Sequence, residues 1–177
     1  MFPAFVLHNS QSLDRIETTN ELVKKTGATI FQSLLLPDGV EGNRLSHLEA
    51  AKVAKSLFPT KHYLIFEDDC VLSEDWQRCL EGMTMADVVY LGYNDKSSDV
   101  TFGTHALLLS PKARDKILER AESLVQAVDR KGAYDHILSK LCRQEGLLTA
   151  MPPLDQKERW AVQKKGLVSL ITGEPRR

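Results

Sequence analysis

Short apolar runs, each closed by polar or turn-forming residues, alternate along this chain with stretches in which apolar residues recur at helical spacing. "AFVLHNS" reads as a buried first strand ended by Asn9 and Ser10. A helix follows, with Ser12 as cap, Ile16, Leu22 and Val23 roughly on one face and Gly27 as its left-handed end. "ATIFQSLLL" predicts a second strand, "PDGVEG" a loop, and "NRLSHLEAAKVAKSLF" a helix stopping before Pro59. "HYLIF" is the third strand. "SEDWQRCLEGM" predicts a short helix capped by Ser73, with Leu72, Trp76 and Leu80 at core spacing, so Trp76 is expected to pack rather than stack on a ligand. "DVVYLGY" and "HALLLS" are strands four and five, separated by a polar, mobile-looking "NDKSSDVT". Pro111 suits the first turn of a long helix through about Val128, and "AYDHILSKLCRQEG" predicts another ending near Gly146. This alternation argues for an α/β layered fold with a mostly parallel sheet, whose ligands lie beyond the carboxyl ends of the strands.

The chain of 177 residues, 42% hydrophobic and 27% charged, is expected to form one domain over 1–177, with an irregular or lid-like tail from about residue 152. A net charge of −1 leaves no global field to recruit nucleic acid or an anionic membrane. Cys70, Cys79 and Cys142 are odd in number and lack CxxC spacing, which reads as reduced thiols in a cytoplasmic protein. "MFPAFVLHNS" has no basic n-region, and nowhere do about 18 apolar residues run together, so neither a signal peptide nor a transmembrane segment is expected. Lys157, Arg159, Lys164 and Lys165 in the tail can fold over a diphosphate, support peripheral contact with an anionic membrane, or form a solvated face.

The third strand, "HYLIFEDDCVL", ends in three adjacent carboxylates, Glu67, Asp68 and Asp69. Adjacent like charges are costly in a core and call for either solvent or a divalent cation such as Mn²⁺ or Mg²⁺, which takes oxygen ligands. Along a regular strand Glu67 and Asp69 face one side and Asp68 the other. "YLIFEDD" resembles a Walker B strand, but the chain has no GxxxxGK[ST] loop, and "HNSQSLDR" replaces the GxGxxG that a dinucleotide fold needs after its first strand. Three classes remain: a metal-dependent phosphoesterase or nuclease, a non-catalytic nucleotide-sugar-binding protein, and a nucleotide-sugar transferase. In the last, an acid pair holds a metal on the leaving diphosphate, and this fits with fewest further requirements.

Several separated segments together resemble glycosyltransferase family 25, the lipopolysaccharide and procollagen galactosyltransferase type. They are the first strand with Leu13, Asp14 and Arg15, "LSHLEAAKVA", "YLIFEDDCVL", "GTHALLLSPKARDKIL", "YDHIL" and "MPPL", in order over about residues 4 to 155. The resemblance implies a GT-A type fold, a UDP-linked or other nucleotide-sugar donor, a divalent metal, and inverting transfer to a glycan, lipid-linked or protein hydroxyl. Carried over residue by residue, Asp69 and Glu67 would be the metal ligands with Asp68 behind them. Leu7, Asn9 and Arg15 would border the nucleotide, and Ser46 and His47 would lie beside the donor. Gly103, Thr104, His105 and Asp135 would line the acceptor side. Inverting transfer needs a general base, for which Asp135 is the candidate, and His105 is a candidate contact to acceptor hydroxyls. Each has a plainer reading: Asp135 as a helix-dipole partner, His105 as a hydrogen-bonded core histidine, and Ser46 with His47 as stabilisers of an internal turn. Two features differ from the family pattern: Leu107 stands where Tyr is common, and no histidine follows His136.

Overall fold

The computed structural model describes residues 2–34, 36–80, 83–96, 100–128, 132–152 and 160–163. Strand β1 (Ala4–His8) is buried at every position, as its apolar run Ala4 to Leu7 requires, and the burial extends to His8 at its end. A 3-10 turn (Leu13–Arg15) leads into helix α1 (Ile16–Thr26), which ends at Gly27 with φ +67°. Ser12 makes no side-chain cap bond there, contrary to the expectation.

Strand β2 (Thr29–Gln32) covers only the middle of "ATIFQSLLL", and the expected loop "PDGVEG" instead opens helix α2 (Gly39–Leu57). Asp38 caps that helix by accepting from the Val40 and Glu41 amides, which offsets the poor helix propensity of Gly39 and Gly42. Gly42 is there for packing: a Cβ would come to 2.7 Å of the Leu34 carbonyl oxygen.

Strand β3 (Tyr63–Glu67) is followed by a two-residue turn and the short β4 (Cys70–Leu72). The "WQRCL" segment is a 3-10 turn (Trp76–Leu80), and Trp76 packs edge-on against Phe66, as expected of a core aromatic. Strand β5 (Val88–Tyr90), the β6 (Asp95–Lys96) and β7 (Thr101–Phe102) hairpin, and β8 (Ala106–Leu109) come next. The stretch 94–101, expected to be mobile, thus carries one strand and the start of its partner, with 97–99 outside the described residues. Helix α3 (Pro111–Leu124) has Pro111 in its first turn and Ser110 as cap. Helix α4 (Tyr134–Gln144), β9 (Thr149–Ala150) and β10 (Ala161–Gln163) complete the order.

The central sheet has the order β2-β1-β3-β8-β5-β9. β1 pairs parallel with β2 and β3, β5 pairs parallel with β9, and β8 runs antiparallel between β3 and β5. Strict alternation splits the buried strand residues between two layers. Phe5, Leu7, Tyr63, Ile65, Tyr90, Leu107 and Leu109 pack toward α2, α3 and α4. Ala4, Val6, Leu64, Phe66, Val89, Ala106 and Leu108 face α1, β4, Trp76 and Trp160. Covered on both faces, the sheet exposes chemistry only at its ends, and the carboxyl ends of β1 and β3 lie side by side, with Leu7 opposite Glu67.

Candidate functional site

A cleft of about 450 Å³ opens at the carboxyl ends of β1 and β3. Its floor carries Leu7, Asn9, Arg15, Glu67 and Asp68, one wall comes from Ser33, Leu34, Leu36, Gly39 and Val40 with Asn43 and Ser46, and the other from Asn94, Phe102 to Thr104 and Ala133 to Asp135. Ser46, 1% exposed, pins the first wall: its hydroxyl accepts from the Leu34 amide at 2.9 Å and donates to the Gly42 carbonyl at 2.7 Å.

The three carboxylates divide differently from the strand-alternation expectation. β3 ends at Glu67 and the chain turns at Asp68 and Asp69, so the two-residue period is lost at the point where the triplet begins. Glu67 and Asp68 both reach the cleft, whereas Asp69 is wholly buried and does not line it. Glu67 Oε1 accepts from Thr104 Oγ1 (3.1 Å), Asn43 Nδ2 (3.2 Å) and His47 Nε2 (3.4 Å). Asp68 accepts from Arg15 Nη1 (2.5 Å), His8 Nδ1 (3.0 Å) and the Asn9 amide (3.4 Å). Thr19 Oγ1 lies 3.2 Å from the same His8 nitrogen. Asp69 lies 3.3 Å from Arg15 Nη1 and accepts a long bond from Gln163 Nε2 at 3.5 Å.

Arg15 is 2% exposed, and burial alone would lower its pKa. The charges of Asp69 and Asp68 outweigh that and raise it, so the guanidinium stays charged. Burial, then the charges of Asp69 and Glu67, push the neighbouring Cys70 thiol far up, which leaves it protonated and unreactive. With the imidazoles counted as neutral, three carboxylates face one guanidinium, and the floor keeps an excess of negative charge. Such a floor repels a diphosphate and attracts a cation. Among the described residues no group of three His, Cys, Asp or Glu side chains converges as a complete metal cage.

Of the other residues expected from sequence, Asp135 is half-buried in the cleft wall, in the first turn of α4, where its Oδ1 accepts from the His136 amide at 2.9 Å. Gly103 (φ +96°) and Thr104 line the same wall. His105 does not line the cleft: it is fully buried, and its ring lies under Gly103 and Gly92. His136 sits edge-on to Phe102 outside the cleft lining. Asn94 is exposed in the cleft wall and donates to Gln163 Oε1 at 3.0 Å, while Tyr93 is buried and donates to the Pro152 carbonyl. Lys157, Arg159, Lys164 and Lys165 lie outside the described residues.

The backbone arrangement matches GlyE, a glycosyltransferase of Streptococcus pneumoniae TIGR4, with a TM-score of 0.55 over 88% of this chain at 12% identity. The fold is a glycosyltransferase fold. The apo form of GlyE matches at 0.54 over 86% of the chain, with 11% identity. A glycosyltransferase involved in glycosylation of the major capsid of PBCV-1 gives 0.48 over 70% of this chain and 65% of its own, with 14% identity. The chain spans less than half the length of GlyE, 46% of it. No protein-family model and no curated protein matches the sequence.

Within this glycosyltransferase fold, sequence reasoning missed Asn43 and His8. Asn43 sits four residues before His47, so both project from the same side of α2 toward Glu67; the predicted helix already held that spacing, but nothing in it pointed to Glu67 as the shared partner. His8 is the last residue of β1, and nothing local distinguishes it from a strand-end histidine; only the turn at Asp68 brings its partner alongside.

Proposed function

We propose that this protein is a metal-dependent glycosyltransferase of the family 25 type. It would transfer a sugar such as galactose or glucose, with inversion, from a UDP-linked donor to a glycan, lipid-linked or protein hydroxyl. The observation that carries this reading is that Glu67 and Asp68, at the strand ends, and Asp135, across the cleft, open on one cavity with excess negative charge. Nothing in that arrangement would hold an anionic donor unaided. Mn²⁺ or Mg²⁺, typically bound through one or two carboxylates with phosphates and water completing the shell, would supply the missing positive charge and stabilise the leaving diphosphate.

Glu67 and Asp68 are the cleft-facing pair that would hold the metal. Asp69, expected from sequence to share the metal with Glu67, would instead stand behind them as a counter-ion of Arg15. Asn9 and Leu7 would flank the nucleotide at the end of β1, with Ser46 holding the opposite wall in place through Leu34. Asp135 would take the proton from the acceptor hydroxyl as that oxygen attacks the anomeric carbon. His105, buried beneath Gly103, would act on the acceptor wall from behind rather than by touching the acceptor.

Thermal melts across UDP- and GDP-sugars, with and without Mn²⁺, test the proposal, because a ligand that binds only the folded state raises the melting temperature. The expected result is a rise with one nucleotide sugar that needs Mn²⁺ and is lost in Glu67→Gln and Asp68→Asn. Stabilisation by Mn²⁺ alone, together with hydrolysis of a phosphodiester, would move the protein to the phosphoesterase class.

A further inference from the structure

The imidazole of His47 is fully enclosed, 1% exposed, and lies flat on the phenol ring of Tyr134, with centroids 4.0 Å apart and planes 15° from parallel. An ionised carboxylate only accepts, so the 3.4 Å contact to Glu67 requires the proton on His47 Nε2. His47 Nδ1 is buried with no hydrogen-bond partner among the described residues, so no hydrogen bond at that nitrogen selects the tautomer or the ring orientation. The stacked ring of Tyr134 is what remains to hold the imidazole plane toward Glu67. The Tyr134 hydroxyl is likewise buried without a hydrogen bond among the described residues, so the ring face and not the hydroxyl makes the contact.

We propose that Tyr134 is a positioning residue that sets the orientation of Glu67 through His47. It completes the set of donors on Glu67 Oε1 begun by Asn43 and Thr104. Tyr134 and Asp135 are consecutive in the first turn of α4. One helix turn therefore places Asp135 in the cleft wall and, by the stack, fixes the carboxylate on the cleft floor, so the two sides of the site are held in one register. The role of Glu67 toward a donor rests on the function proposed above; the orientation of His47 by Tyr134 does not.

Two variants separate ring from hydroxyl, and the readouts separate this proposal from the functional one. In ligand-free protein, long-range ¹H–¹⁵N spectra report the His47 tautomer, with the signal assigned from His47→Gln. Wild type and Tyr134→Phe are expected to show a single Nε2–H tautomer, and Tyr134→Leu a mixture. By calorimetry with a UDP-sugar and Mn²⁺, Tyr134→Phe should bind like wild type and Tyr134→Leu about tenfold more weakly. On a His47→Gln background, Tyr134→Leu should add little, because both changes act through one contact. A mixed tautomer in Tyr134→Phe, a single tautomer retained in folded Tyr134→Leu, or additive losses in the double variant would overturn the proposal. If Tyr134→Leu fails to fold, Tyr134→Met takes its place, with a mixed tautomer expected and a single retained tautomer overturning the proposal. If wild type binds no nucleotide sugar, the functional reading fails while the tautomer comparison still stands or falls alone.

Discussion

Asp87 sits at one end of the central sheet and Glu67, Asp68 and Asp69 at the other, and these two sets of largely buried carboxylates are compensated in different ways. Asp87 accepts from Ser110 Oγ, Lys112 Nζ and the Leu148 amide, each at 3.0 Å, so both oxygens are served by groups that tie the ends of β5, β8 and β9 to the start of α3. Burial would raise its pKa, but the Leu148 amide, Lys112 and Ser110 together hold it below the usual carboxylate range. At the other end one guanidinium pairs with Asp68 and Asp69 while Glu67 is held by Thr104, Asn43 and His47, and two of the three carboxylates face a cavity. A closed and balanced set at one end and an open and unbalanced one at the other is what distinguishes a structural carboxylate from one kept for a ligand.

If the contrast is sound, variants at the two ends should fail in different assays. The largest effect is expected at Asp135→Asn, which should lower sugar transfer by about 10²–10⁴-fold if Asp135 is the base, with melting temperature unchanged. Turnover equal to wild type would remove Asp135 from the mechanism. Arg15→Met should come next, costing about 3–5 kcal/mol in denaturant melts because it strands Asp68 and Asp69 in a buried site. Added Mn²⁺ should recover part of that loss at this end of the sheet and none of the loss in an Asp87 variant. Asp87→Asn should cost about 1–3 kcal/mol, by weakening the contacts to Lys112 and Leu148, and leave nucleotide-sugar affinity untouched. The smallest effect is its pH dependence. Because the folded pKa of Asp87 is lowered, its stabilisation is complete above the unfolded value of about 3.9 and fades as pH falls through the folded value. The stability gap between wild type and Asp87→Asn should therefore be constant from neutral pH down to roughly pH 5 and shrink below about pH 4, as read from urea melts at successive pH values.

Much of this was legible in the chain because the strands are buried on both faces. "AFVL", "YLIF" and "ALLL" are continuous apolar runs that surface elements would not tolerate, and Gly27, Pro111 and Gly146 punctuate the helices where local stereochemistry demands it. The start of α2 was hidden because Gly39 and Gly42 read as a loop by composition, whereas Gly42 answers to the close approach of Leu34 and Asp38 caps the helix. The acid triplet was visible, but its division was not, since alternation predicts sides only while a strand continues, and β3 stops at Glu67. The His8 contact to Asp68 and the Tyr134 stack on His47 join residues far apart in sequence, and no local period encodes them.

β10 lies so close over the sheet that a Cβ on Gly92 would collide with the Ala161 carbonyl oxygen. The same strand zips onto β4 and reaches Asp69 through Gln163, 94 residues further along. A ribosome therefore releases the acid turn long before it releases the strand that braces it. During synthesis Asp68 and Asp69 must wait with Arg15 as their main guard, and the site takes its final shape only when residues 160–163 have emerged and docked.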